Sequence, residues 1–140
     1  MGITWIVPKT MQKELFSMQN DWFGVILEVM DWKRLESLEQ LAQIKQESQE
    51  KPVLIFKHSS RCSISSIAWD RLKRNWKSED SERISPYFLD LISYREISNT
   101  IAREFEVYHE SPQIILIKEG KAVYDTSHMG INYHDIMKRI

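Results

Sequence analysis

The chain has 140 residues, 42% of them hydrophobic and 28% charged, with a net charge of -1. That size fits one domain with a core of its own, and the balanced charge gives no reason to expect nucleic acid or an anionic membrane as a partner. The single cysteine, Cys62, excludes an intramolecular disulfide and with it a disulfide-stapled secreted fold, so a reducing cytoplasm is the expected setting.

In chain order, residues 1–30 read as an N-terminal extension. Leu15, Met18, Trp22 and Ile26 approximate a helical spacing and predict a loose amphipathic helix. Met30 opens a run that reads as a domain start, so initiation there is an alternative beginning. Residues 1–6 are apolar, but Pro8, Lys9 and Lys13 interrupt them, so no secretory signal is expected. The apolar run at residues 22–27 is far short of the roughly 20 residues that cross a bilayer, and a soluble protein is expected.

From residue 31 onward the pattern alternates. Residues 32–35 predict a short strand. Ser37-Leu38-Glu39-Gln40 predicts a capping box, opening a helix that buries Leu38, Leu41, Ala42 and Ile44. Pro52 stops it, and residues 53–57 predict a buried strand. A helix follows Cys62 to about Lys77, patterned on Ile64, Ile67, Ala68 and Leu72, with Trp69 and Trp76 as packing residues. Residues 78–82 read as a polar loop and 87–92 as a strand. Ile97, Ile101, Ala102 and Phe105 mark another helix, with Ser98 on its polar side. Residues 113–118 and 121–126 predict a hairpin around Glu119-Gly120, and residues 133–140 a closing helix. This order implies an α/β fold, a mixed sheet with helices on both faces.

The chemistry centres on Lys57-His58-Ser59-Ser60-Arg61-Cys62-Ser63-Ile64-Ser65. It places the one thiol where a strand ends and a helix begins, and the unpaired N–H groups and partial positive charge of a helix start favour an anion such as a thiolate. The polar neighbours argue against a dry structural cysteine. Ser65 stands where the second sulfur of a Cys-x-x-Cys motif would be; its hydroxyl can donate to a thiolate but cannot resolve a mixed disulfide, which leaves one-thiol chemistry. His58 reads as a supporting group at the strand end. His58, His109 and His128 match no compact metal-ligand spacing, so no metal is expected, and His134 reads as a surface residue.

A reactive cysteine at a strand-to-helix junction, followed by a proline before a hairpin, resembles the thioredoxin fold. More narrowly, the run from Phe56 to Ser65, the run Val107-Tyr108-His109-Glu110-Ser111-Pro112-Gln113 and the run Ser127-His128-Met129-Gly130-Ile131 resemble the YtxJ family of monothiol bacilliredoxins across residues 31–140. The resemblance implies a thiol-disulfide oxidoreductase that removes bacillithiol, a cysteinyl-glucosamine-malate thiol, from protein mixed disulfides. On that analogy Cys62 is the nucleophile, and Ser111-Pro112 is a cis-proline loop whose backbone holds the incoming disulfide. Arg61, Lys57 or His58 would meet the malate carboxylates. Bacillithiol would be a co-substrate, with no tightly bound cofactor. The family often has proline after the cysteine; here Ser63 restores an N–H at the first helical position.

Two readings from other classes compete. A non-catalytic docking module would carry an unreactive Cys62. A dimeric iron–sulfur carrier would need cysteine ligands from two chains together with small thiols.

Overall fold

The run of β2 (Val53–His58) sets the architecture, because five of its six residues are buried. Side chains alternate across a strand, so a strand that is apolar at nearly every position must be covered on both faces. The computed structural model describes residues 32–140. The expected N-terminal extension, its helix and the alternative start at Met30 fall outside the described residues. The remaining elements are β1 (Lys33–Arg34), α1 (Glu39–Glu47), α2 (Ser63–Asn75), α3 (Asp80–Arg83), β3 (Ser85–Asp90), α4 (Arg95–Glu104), β4 (Gln113–Lys118), β5 (Lys121–Ser127), a 3-10 turn (His128–Gly130) and α5 (Tyr133–Met137).

The strands form one mixed sheet in the order β1-β3-β2-β4-β5. The first three are parallel, with Arg34 level with Phe88, and His58 level with Asp90. β4 runs antiparallel to β2, pairing Gln113 with Lys57, and β5 returns beside it. On one face Trp32, Leu54, Phe56 and Phe88 pack with Trp69 and Leu72 of α2 and Ile136 of α5. On the other, Ile55, Tyr87, Leu89 and Ile115 pack with Leu41 and Ile44 of α1 and Ile97 and Ile101 of α4. The predicted α/β sheet with helices on both faces is therefore what the chain forms. Trp69 serves packing as expected, with its ring centroid 5.0 Å from that of Trp32 and 4.9 Å from that of Phe88.

Several local expectations are corrected. Only half of the capping box forms: Gln40 Oε1 accepts from the Glu36 and Ser37 N–H groups, but the helix starts one residue late, at a Leu38 cap with no side-chain bond. Leu38 and Ala42 face solvent, and the side chains that α1 buries are Leu41 and Ile44. The polar stretch at 78–82 is no plain loop. Asp80 is buried there, its carboxylate accepting from the Lys77 N–H and the Tyr133 hydroxyl, and α3 winds from it. In α2 the buried stripe runs through Ser65, Ala68, Trp69 and Leu72, which leaves Ile64 and Ile67 turned outward. β3 begins two residues early, at Ser85. At the hairpin turn, Glu119 and Gly120 take positive φ, and their N–H groups donate to the backbone oxygen and hydroxyl of Ser48 at the end of α1.

Candidate functional site

The carboxyl end of β2 delivers the reactive segment. Cys62 is the N-cap of α2, with extended backbone and no bond from its side chain to the helix. Its N–H donates to Ser59 O at 3.2 Å, and its carbonyl accepts from the Ser65 N–H at 3.1 Å. The sulfur therefore stands at the open first turn of the helix, partly exposed and unbridged.

Ser65 is fully buried one turn on. Its Oγ accepts from the Ser59 N–H at 3.0 Å and lies 2.8 Å from His58 Nδ1. The Ser65 hydroxyl thus shapes the loop that carries Cys62. His58 is half-buried beside Phe88, ring centroids 5.3 Å apart. Burial pushes its pKa below the usual histidine value, with Asp90 pulling weakly the other way.

The Ser111–Pro112 peptide is cis, as the family resemblance implies and against the ordinary preference for trans. The next residue, Gln113, pairs with Lys57, so Pro112 stands beside the end of β2. Pro112 O accepts from the His128 N–H at 3.1 Å, which brings the third sequence motif against the second. Gln113 is fully buried and shapes this loop: its Nε2 donates to Tyr108 O at 2.9 Å and its Oε1 accepts from the Glu110 N–H at 3.3 Å. Ser111 Oγ is buried without a hydrogen-bond partner.

Lys57 departs from expectation. It is wholly buried on the α1/α4 face, so it cannot meet a substrate carboxylate in solvent. Its Nζ donates to Ser98 O at 3.3 Å and lies 3.4 Å from His109 Nδ1, which Ser98 Oγ also approaches at 3.2 Å. Ser98, expected on the polar side of its helix, is thus a buried linker. Burial lowers the Lys57 pKa to about 8, and burial together with the Lys57 and Arg95 charges lowers that of His109.

Of the residues singled out in the sequence, Cys62, His58, Ser65 and Pro112 converge at one end of the sheet, with Ser111 preceding the proline. Arg61 is exposed beside Cys62, and His134 is exposed on α5. Among the described residues no three histidine, cysteine or acidic side chains gather to hold a metal ion. None of the described helices is long and apolar enough to cross a membrane. Sequence reasoning passed over the Lys57–Ser98–His109 group; the available signal was a lysine continuing an apolar strand.

A lone cysteine capping the helix after β2 and a cis-proline at the head of the neighbouring β4, within this order of strands and helices, define the thioredoxin class of proteins. Solved structures agree. A candidate oxidoreductase with a thioredoxin fold shares 30% identity, with a TM-score of 0.67 over 77% of this chain and 92% of its own. Thioredoxin of Malassezia sympodialis (15% identity, TM-score 0.60, 77% of this chain and 86% of its own) and of Fasciola hepatica (17%, 0.58, 77% and 95%) match in fold. The family model described as monothiol bacilliredoxin BrxC matches residues 33–136, and the chain belongs to that family.

Proposed function

We propose that the protein is a cytoplasmic thiol-disulfide oxidoreductase that removes bacillithiol from protein cysteines through Cys62. The observation that carries this reading is the placement of one partly exposed sulfur at the first turn of α2, with Ser65 pinned where a second sulfur would stand. Such a site can form one mixed disulfide and cannot close a bond of its own.

The steps balance as two exchanges. Cys62 thiolate attacks the bacillithiol sulfur of the mixed disulfide; the protein–bacillithiol S–S bond breaks as the Cys62–bacillithiol bond forms. The target leaves as a thiolate, carrying the electron pair and taking a proton from solvent. A free bacillithiol thiolate then attacks the adduct, releasing bacillithiol disulfide and Cys62 thiolate. The cis-Pro112 peptide enters β4 next to the end of β2, which supports a role for its backbone in aligning an incoming disulfide, and Arg61 is exposed next in sequence to Cys62 for an anionic substrate.

The test is intact-mass analysis after incubation with bacillithiol disulfide, beside glutathione disulfide and a Cys62→Ser control. One bacillithiol adduct on the wild type, none on the variant, and release by free thiol are the expected results. An unmodified wild-type chain under all conditions would overturn the reading and favour a docking module.

A further inference from the structure

The carboxyl ends of β1, β3 and β2 border a cavity of about 250 Å³ lined by Arg34, His58, Ser60, Phe88 and Asp90. The strand register explains why these five meet. Arg34 is level with Phe88 and His58 is level with Asp90, so the four occupy two neighbouring levels toward the carboxyl ends of the three parallel strands. Parallel strands leave their ligand crevices beyond their carboxyl ends, where the chain turns into loops. Ser60 belongs to the loop that carries Cys62 and is two residues from it, so the wall of the cavity lies within about 7 Å of the nucleophile along the chain.

The lining is chemically mixed. Arg34 brings a guanidinium that can clamp a carboxylate through paired N–H donors. Asp90 brings an acceptor for hydroxyl groups, already oriented by the Ser93 hydroxyl at 2.9 Å. Ser60 adds an exposed hydroxyl and His58 an imidazole held in place by Ser65. Phe88 gives an apolar floor. The volume equals about eight waters' share of liquid. That admits a group about the size of one sugar ring or a small hydroxy acid.

We infer that this cavity is the specificity subsite for the small thiol: it takes the hydroxylated, carboxylate-bearing end of the molecule whose sulfur exchanges at Cys62. This rests on the proposed one-thiol exchange and adds where the thiol is recognised. Arg34 binds the carboxylate, Asp90 and Ser60 bind hydroxyls, and the cysteinyl arm reaches from the cavity mouth to the sulfur. Arg34 and Asp90 are specificity residues and take no part in the bond changes.

The experiment measures the rate of Cys62 adduct formation with three small disulfides: that of bacillithiol, that of its analogue without the malate, and hydroxyethyl disulfide. The wild type is expected to prefer bacillithiol disulfide over the malate-free analogue by about tenfold, equivalent to about 1.4 kcal/mol. Arg34→Gln should cut that ratio to twofold or less. Ser60→Leu, a loop substitution at an exposed position that fills the cavity mouth, should lower it as well, while Lys121→Ala on the distant edge strand leaves it unchanged. Equal wild-type rates with both disulfides, or an Arg34→Gln protein that keeps the full ratio, would overturn the subsite and leave the exchange reading intact. A slowing of Arg34→Gln confined to bacillithiolated protein substrates would also overturn it, by assigning the cavity to the target. No wild-type adduct with any of the three would instead remove the exchange reading itself.

Discussion

Lys57 and His58 are consecutive, yet they serve opposite faces of the sheet in different ways. His58 turns toward the α2 face and meets Ser65 Oγ, which also accepts from the Ser59 N–H, all within the segment from His58 to Ser65 that holds Cys62. Lys57 turns toward the α1/α4 face and joins Ser98 to His109, on the segment that leads to cis-Pro112. One network is local in sequence and shapes the nucleophile's loop. The other spans 41 and 52 residues and ties the proline loop to the sheet. The local network uses neutral groups that satisfy one another. The long-range network buries an ammonium whose pKa falls to about 8, so it costs stability to keep.

The largest effect that separates them is at Ser65. Ser65→Ala removes the acceptor of the buried Ser59 N–H and the partner of His58 Nδ1. It should destabilise the fold by about 2–4 kcal/mol in urea denaturation, since two groups lose their partners. It should also slow adduct formation at Cys62. A variant that unfolds at the wild-type midpoint would show that this network carries no weight.

Lys57→Met should act in the opposite direction. The folded pKa of Lys57, about 8, lies below its ordinary 10.5. Below pH 8 the lysine is charged in both states and the full burial penalty applies; above 10.5 it is neutral in both and the penalty is gone. The wild type therefore gains stability from this group as pH rises from about 8 to 10.5. Lys57→Met should be more stable at pH 7 by up to about 3 kcal/mol, with the advantage vanishing near pH 10.5. Denaturation curves at pH 7 and pH 10.5 check this, and a variant less stable at pH 7 would mean that the contacts to Ser98 and His109 outweigh the burial cost.

A smaller effect is expected from Ser98→Ala, which removes one hydroxyl contact to His109 and should cost about 1 kcal/mol by the same measurement. The smallest is a pH slope. Burial lowers the pKa of both His58 and His109, so the unfolded chain takes up protons first as pH falls through 6.5, and stability is lost on that acid side. His58→Asn and His109→Asn should each flatten the fall in Tm between pH 7 and pH 5. An unchanged slope in both would assign it to other groups.

The sequence carried the local half of this comparison and missed the other. Cys62, Ser65 and His58 lie within eight residues, and a polar run between an apolar strand and a helix marks them together. Strands β2 and β4 were legible because an interior strand buried on both faces must be apolar throughout. Ser98 was not, since one buried serine in a helix carries no mark distinguishing it from a solvated one until His109 arrives from another segment. Ile64 and Ile67 misled for the converse reason: apolar residues at helical spacing suggest a core stripe, while Ser65 and Trp69 hold that position. The cavity beside Ser60 needs the register of three strands at once, and no linear pattern records a register.

The lone sulfur at the start of α2 has a bookkeeping consequence. A protein with two such sulfurs stores its oxidised state as an internal bond, which changes its mass by two hydrogens. This chain has one cysteine and can record oxidation by a small disulfide only as added matter. Each such oxidised molecule is heavier by the thiol it carries, so the occupied fraction and the identity of the occupant can be weighed together at one atom.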